Sequence, residues 1–222
     1  MQKLVRGIHE FQVNYFATNR ALFQELAQRQ SPETLFITCS DSRVIPELIT
    51  SAAPGDLFIV RNIGNVVPSH ISGVKGGVAA AIQYAVEFLK VQNIIVCGHT
   101  GCGAMEAILN PERLADLEFV RRWLEQTDQI RAIIARQYAE LEGAARVTAA
   151  VEENVLVQLE NLRTYPFIER RLQAKELQLS GWVFQIATGE VYEYDPEHHQ
   201  FSLLVAEEGP ERVSIGGATP AR

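Results

Sequence analysis

Apolar residues recur along this chain with two different periods. From Leu4 to Ala27 the spacing is helical, through Leu4, Ile8, Phe11, Tyr15, Ala21, Leu22 and Leu26. It predicts one or two amphipathic helices, broken near Thr18-Asn19. The apolar face of such a terminal stretch can pack on its own domain or cover a second subunit. Thr34-Leu35-Phe36-Ile37-Thr38 is instead short, continuous and β-rich, and predicts a buried strand. Pro54-Gly55-Asp56 marks a turn, and Leu57-Phe58-Ile59-Val60 a second strand. Gly76 to Leu89 is small or apolar on most sides and predicts a buried helix. Asn93-Ile94-Ile95-Val96-Cys97 is a third strand, running into Gly98-His99-Thr100-Gly101-Cys102-Gly103.

Helical periodicity dominates from Pro111 to Leu177, in three or four segments with breaks at Gly143 and Tyr165-Pro166. Leu179 to Ile186 and Val191 to Tyr194 predict strands joined at Ala187-Thr188-Gly189, with another from Phe201 to Val205. Strand and helix in alternation, then a hairpin, predict an α/β fold: a mainly parallel sheet with an antiparallel edge hairpin, flanked by helices. One domain is expected over 1–205 and a loose tail over 206–222. Ligands on such sheets sit at the carboxyl ends of strands. Cys39 and the His99/Cys102 pair both follow strands, so the topology can bring them together.

Composition narrows the function. The 222 residues, 47% of them hydrophobic, suffice for one α/β domain with a sizeable core. No apolar run nears the roughly 20 residues of a membrane span. The segment Met1 to Glu10 turns polar too early for a signal peptide, so a cytoplasmic location is expected. A formal net charge of -7 argues against nucleic acid or an anionic membrane as partner. Three cysteines, Cys39, Cys97 and Cys102, do not make a disulfide framework. Metal binding and catalysis are the remaining uses.

Read alone, His99-x-x-Cys102 fits a satisfied histidine beside a buried thiol as well as a ligand pair, and Cys39 fits a core residue. Together they supply two thiolates and an imidazole, a set that suits Zn2+ with bonds of ~2.0–2.3 Å. Three protein ligands leave one tetrahedral position open, as in catalytic zinc. Cys97, inside an apolar strand, is expected to face the core rather than add a fourth ligand. Asp41 and Arg43, two apart in an extended segment, project to the same side. They can form a local ion pair that shapes the loop. They can also act on the chemistry, Asp41 accepting a hydrogen bond from zinc-bound water and Arg43 keeping that carboxylate ionised. Two thiolates leave zinc less electrophilic than three neutral histidines would, so activity is expected to rise on the alkaline side.

Cys39-Ser40-Asp41-Ser42-Arg43, Pro54-Gly55-Asp56, Arg61-Asn62-Ile63-Gly64-Asn65 and Gly98-His99-Thr100-Gly101-Cys102-Gly103, in this order, resemble the β-class carbonic anhydrases. Gly181-Trp182 and Gly189-Glu190-Val191 extend the likeness to about residue 205. The resemblance implies reversible hydration of CO2 to bicarbonate and a proton by zinc-bound hydroxide. It implies one Zn2+ per subunit on Cys39, His99 and Cys102, an Asp41–Arg43 dyad, and a homodimer or higher oligomer embraced by the N-terminal helices. By position, Gln30, Phe58 and Tyr84 match the substrate pocket of the plant-type branch, and Gly103 falls where a backbone N–H helps hold substrate. Ile63 would join Phe58 and Tyr84 in a dry wall for apolar CO2. Gln30 could donate to the oxygen that gains charge. Such pockets form where two subunits meet.

Phe36 stands where a bicarbonate-inhibited branch has tryptophan, which implies Asp41 off the metal. The text from Pro68 to Gly77, and Val78 after it, departs from the commoner pattern and bears on the pocket rim. His70 there could export protons or be a plain loop histidine. Leu48-Ile49-Thr50, Glu153-Asn154-Val155-Leu156 and Arg163-Thr164-Tyr165-Pro166 resemble cyanobacterial carboxysomal members. This raises an association with carboxysome shells, although the long C-terminal extension of those members is mostly lacking after Arg222. Two other readings use the same site: hydrolysis of CS2 or COS, and a zinc-bearing scaffold without turnover, against which an intact Asp41 and Arg43 weigh.

Overall fold

In the computed structural model, which describes residues 1–73 and 76–205, six strands form one sheet. They are β1 (Thr34–Cys39), β2 (Leu57–Asn62), β3 (Asn93–His99), β4 (Gln178–Phe184), β5 (Val191–Asp195) and β6 (Gln200–Leu203), in the order β2-β1-β3-β4-β5-β6. β1 to β4 are parallel, and β5 and β6 close one edge antiparallel. This is the α/β architecture that the patterning predicts. The tail expected over 206–222 lies outside the described residues.

The central strands are apolar on consecutive positions because both faces of the sheet are covered. Neighbouring side chains point to opposite faces. Leu35, Ile37, Ile94 and Val96 enter the larger core, and Phe36 and Cys97 enter a smaller one with Val44 and Phe184. Helices α4 (Gly77–Gln83), α7 (Asp128–Gln137), α8 (Gly143–Arg163) and α9 (Pro166–Gln173) close the larger core with Ile82, Ile130, Ile134, Val151, Val155 and Ile168. Each such side chain contributes roughly 1.5–3 kcal/mol on burial. α8 lies very close to the sheet. A Cβ on Gly98 of β3 would stand 2.8 Å from Val151 Cγ1, and one on Gly181 of β4 would stand 2.8 Å from Val155 Cγ1. The smaller core is thinner, and Ile59, Ile95 and Trp182 are only partly covered.

Several boundaries differ from the sequence expectation. β1, β2 and β3 run on to Cys39, Asn62 and His99 because the ladder continues, with Cys39 opposite Asn62 and His99 opposite Phe184. The predicted helix over 76–89 is α-helical as α4 and then widens into a π turn, Tyr84–Phe88. The stretch 111–177 holds α6 (Glu118–Leu124), α7, α8 and α9, with one 3-10 turn before α6 and another between α6 and α7. Gly143 opens α8 with φ +53, and Pro166 opens α9 at its first position, where a missing N–H costs nothing. α3 (Pro46–Thr50) and α5 (Gly103–Leu109) were not predicted. Both are too short for a periodic pattern to show.

The N-terminal stretch forms α1 (Gln2–Glu10), a π segment (Phe11–Phe16) and α2 (Arg20–Leu26). The predicted break falls at Thr18 and Asn19, whose side chains bond back to the Asn14 and Tyr15 carbonyls. None of these three segments buries a residue, and Ile8 is 58% exposed. Leu26 packs against Gly55 and Phe23 against Phe11 and Phe16, but much of the apolar face of α1 stays uncovered. Among the described residues no helix is long and apolar enough to cross a membrane.

Candidate metal centre

The centre is built at the carboxyl ends of β1 and β3. β1 delivers Cys39 as its last residue. The chain then turns sharply, with Ser40 N–H donating to the Asn62 carbonyl (2.9 Å) and Val44 N–H to the Asp41 carbonyl (3.1 Å). β3 delivers His99, and Gly101, in the left-handed region at φ +64, reverses the chain so that Cys102 precedes α5. A residue with a Cβ is strained there. The donor atoms of Cys39, His99 and Cys102 all lie within 4.8 Å of one another, and all three residues are buried. Among the described residues this is the only group of three or more such side chains that could hold an ion.

Local bonding prepares these atoms. His99 Nδ1 lies 3.1 Å from the Thr100 carbonyl. That oxygen can only accept, so Nδ1 carries the proton and Nε2 keeps its lone pair. Nε2 is fully buried and finds no hydrogen-bond partner, a costly state for a polar atom unless something else takes the lone pair. The two sulfurs belong to free thiols and lie within 4.8 Å of each other. The neighbouring Cys102 thiol draws the Cys39 thiol down to about 4 against the opposing effect of burial, and the nearby His99 and the Gly64 and Asp41 backbone lower it further. The Cys39 sulfur beside it and burial push Cys102 up, while the backbone of Met105 and Ala104 pulls the other way. One negative charge therefore settles readily on the sulfur pair. Two sulfurs, one already anionic, and an imidazole lone pair aimed among them fit a metal ion with bonds of about 2.0–2.3 Å.

Asp41 and Arg43 form a two-pronged pair beside this group. Arg43 Nε donates to Asp41 Oδ1 (2.9 Å) and Nη2 to Oδ2 (2.7 Å), and the Arg43 backbone N–H adds a third bond to Oδ1 (3.0 Å). Arg43 also reaches the Gly101 carbonyl at 3.2 Å, tying the two turns together. The guanidinium holds the Asp41 carboxyl well below the usual carboxylate range. Asp41 Oδ2 stands 3.8 Å from His99 Nε2, too far for a hydrogen bond. Cys97 behaves as expected. It is fully buried in the smaller core, and burial pushes its thiol up to about 12.

The remaining predicted residues divide into two sets. Ile63 and Gly103 lie at the metal end, Ile63 directly after β2 and Gly103 directly after Cys102. A hollow of about 600 Å3 opens there between Ser40, Arg61, Ile63, Val78 and Trp123. Phe58 and Tyr84 meet each other, with ring centroids 5.9 Å apart, but not the metal group of their own chain. Phe58 is opposite Leu35 in the ladder while Asn62 is opposite Cys39, so it sits about 13 Å back along the strand. Gln30 is exposed before β1, at that same far end. His70 is exposed, its ring 5.4 Å from that of Tyr165.

Arg61 was quoted in a motif but given no role by the sequence. Its Nε donates to the Cys39 carbonyl (3.1 Å) and its Nη2 to the Asp41 carbonyl (2.6 Å), so it clamps the loop between ligand and carboxylate. Trp123 Nε1 donates to the Ile63 carbonyl (2.8 Å), fixing the rim of the hollow from α6. An arginine just past a conspicuous β-run was the one available signal, and nothing local marks Trp123.

Comparison with known proteins agrees with this geometry. The carbonic anhydrase family model matches residues 34–191. A carbonic anhydrase of Synechocystis sp. is 45% identical over 202 residues, covering 90% of this chain and 73% of that protein. The solved structure of the β-carbonic anhydrase CcaA superposes with a TM-score of 0.90 at 44% identity, covering 93% of this chain and 92% of that one. One of two tetrameric β-carbonic anhydrases from Sordaria macrospora superposes with a TM-score of 0.77 at 30% identity, covering 86% and 95%.

Proposed function

Since this chain belongs to the β-class carbonic anhydrases, we propose that Cys39, His99 and Cys102 hold one Zn2+ per subunit and that Asp41 and Arg43 serve the reaction beside it. The enzyme catalyses the reversible hydration of CO2 to bicarbonate and a proton. The observation that carries the metal assignment is the buried, unpartnered Nε2 of His99 grouped with two sulfurs. Zinc bound there supplies Lewis acidity, which brings water into the range where it gives up a proton near neutral pH.

The chain's own residues do the rest. Asp41 accepts a hydrogen bond from the attacking water and turns an oxygen lone pair toward the carbon. Arg43 keeps that carboxylate ionised and turned away from the ligand atoms, which supports an open form of the site. Gly103 N–H binds a substrate oxygen, and Ile63 gives CO2 an apolar wall. Gln30, Phe58 and Tyr84 complete the pocket from a second copy of the chain. Tyr84 is 41% exposed and its stacked neighbour Phe88 is 70% exposed, which supports a surface made to be covered. The uncovered apolar arm formed by α1 and the π segment after it supports the same homodimer.

Residues 1–205 act as one domain in this reading. Three buried free thiols fit a reducing, cytoplasmic setting. Association with carboxysome shells rests on sequence likeness alone, and co-sedimentation with shells tests it.

The assay is zinc content measured beside stopped-flow CO2 hydration. Cys39→Ser is expected to lose both metal and turnover. Asp41→Ala is expected to keep most of the metal and lose about 10²-fold or more in turnover. Full turnover in Cys39→Ser would refute the assignment.

A further inference from the structure

Helix α8 is apolar toward the sheet except for one polar stripe. Gln158 lies four residues after Asn154 and Asn161 three after Gln158, so all three share a face. Asn154 and Gln158 are completely buried. Buried amides are costly unless bonded, and these are bonded to each other and to a single distant turn. Gln158 Nε2 donates to Asn154 Oδ1 (2.8 Å), and Asn154 Nδ2 donates to the Gly64 carbonyl (2.9 Å). Gln158 Oε1 accepts from Val67 N–H (2.8 Å), and Asn161 Nδ2 donates to the Val67 carbonyl (2.9 Å). Just beyond the helix, the Tyr165 hydroxyl donates to the Pro68 carbonyl (2.7 Å). The turn from Ile63 to Pro68 is thus hung on side chains of α8.

That turn touches both sulfur-bearing segments. Cys39 pairs in the ladder with Asn62, two residues before Gly64, and the Gly64 backbone helps lower the Cys39 thiol pKa. On its other side Gly64 presses on α5, where a Cβ would stand 3.1 Å from Ala104 Cβ and 3.3 Å from Met105 Cε. Ala104 and Met105 stand two and three residues after Cys102, and their backbone lowers its thiol pKa. Gly64 also has φ +78, a conformation that residues with a Cβ rarely adopt.

We propose that Asn154 is a positioning residue of the metal centre: by holding the Gly64 carbonyl it fixes the Gly64 turn between the segments that carry Cys39 and Cys102, and Gln158 locks the Asn154 amide in the orientation this needs. The inference rests on the reading of Cys39 as a zinc ligand and deepens it. Partners of this kind, one step out from the ligands, typically change metal affinity 10–100-fold when removed. A purely structural role would lower stability without a selective effect on the metal.

The test compares three variants with wild type. Asn154→Leu removes both bonds at nearly constant volume. Asn154→Asp keeps the acceptor for Gln158 but loses the donor to Gly64, and it stands in if Asn154→Leu does not fold. Leu162→Ala alters the same helix at a fully buried residue that makes no hydrogen bond to the turn, and so measures lost stability alone. Zinc affinity is read by competition with a chromogenic chelator. The sulfur-to-metal charge-transfer band of Co2+-substituted protein reports the sulfur environment. The Asn154 variants are expected to bind zinc about tenfold or more weakly and to shift the band, while Leu162→Ala lowers the melting temperature and does neither. The positioning role is overturned if the Asn154 variants bind zinc as wild type does, or lose it only in step with Leu162→Ala. A wild-type protein without zinc, or a Cys39→Ser variant that retains it, overturns the ligand assignment itself, and the role of Asn154 falls with it.

Discussion

Gly98 offers the sharpest test of how α8 and the metal-bearing strand fit together. A Cβ built there meets Val151 Cγ1 at 2.8 Å and Val155 Cγ2 at 3.0 Å. Ordinary carbon contacts need about 3.5–4.0 Å, so something must yield by about 0.7 Å or more. Both valines are β-branched and hold one strongly preferred rotamer in a helix, so they cannot simply turn aside. The backbone of Gly98 is not in the left-handed region, and the whole effect is one of space. Overpacking of this kind costs about 1–3 kcal/mol. For a chain of this length that is a drop of roughly 2–12 °C in melting temperature for Gly98→Ala. The assay is thermal unfolding followed by circular dichroism at one protein concentration. Val151→Ala alone leaves a cavity and costs a similar amount. In the double variant the new methyl occupies the vacated space, so the combined loss should fall short of the sum by about 1 kcal/mol or more. Losses that add within about 0.5 kcal/mol would show that the two positions do not compete for the same space, and the close seating of α8 would be wrong.

Three further outcomes are expected. Because Arg43 depresses the Asp41 pKa, the stability this pair adds is fully present above the ordinary carboxylate value of about 3.9 and is lost only as pH falls through the folded value. The melting-temperature advantage of wild type over Asp41→Asn should therefore be flat from pH 6 to 9 and shrink only in strong acid, whereas CO2 hydration should climb over that range. An advantage that faded between pH 9 and 6 would contradict the pair. Ile8→Glu combined with Phe11→Glu should turn dimers into monomers in sedimentation velocity and abolish activity, and an unchanged mass would remove the arm from the interface. Mixing Cys39→Ser with Phe58→Ala subunits should restore activity by forming one site with an intact metal group and an intact partner wall. Mixtures no more active than their components would place Phe58 within its own subunit's site.

The strands β1 and β3 were legible because both faces of the sheet are covered, which writes them as continuous apolar runs. Their ends were not, since Cys39 and His99 continue the ladder without looking like strand residues. The candidate metal trio was legible from its chemistry, cysteine and histidine being few in this chain. Phe58, Tyr84 and Gln30 were reached only through resemblance, and the chain itself carries them to the far end of its sheet. Asn154 left no local mark, because its bond to Gly64 spans 90 positions. A polar stripe on the otherwise apolar sheet-facing side of the helix was the only sign, and a stripe alone does not say what it grips. Arg61 was similarly opaque, since its targets are backbone carbonyls and carry no sequence signature.

The two turns that carry the ligands come from remote parts of the chain, yet the strands bearing them are already stitched side by side. Thr38 Oγ1 donates to the Cys97 carbonyl at 2.8 Å across 59 positions. Closing a loop of that size costs on the order of 4 kcal/mol in chain entropy, and the pairing of β1 with β3 offsets it without drawing on a metal. Chelation should leave a folded protein that reloads, unlike the small zinc modules whose fold and metal appear together.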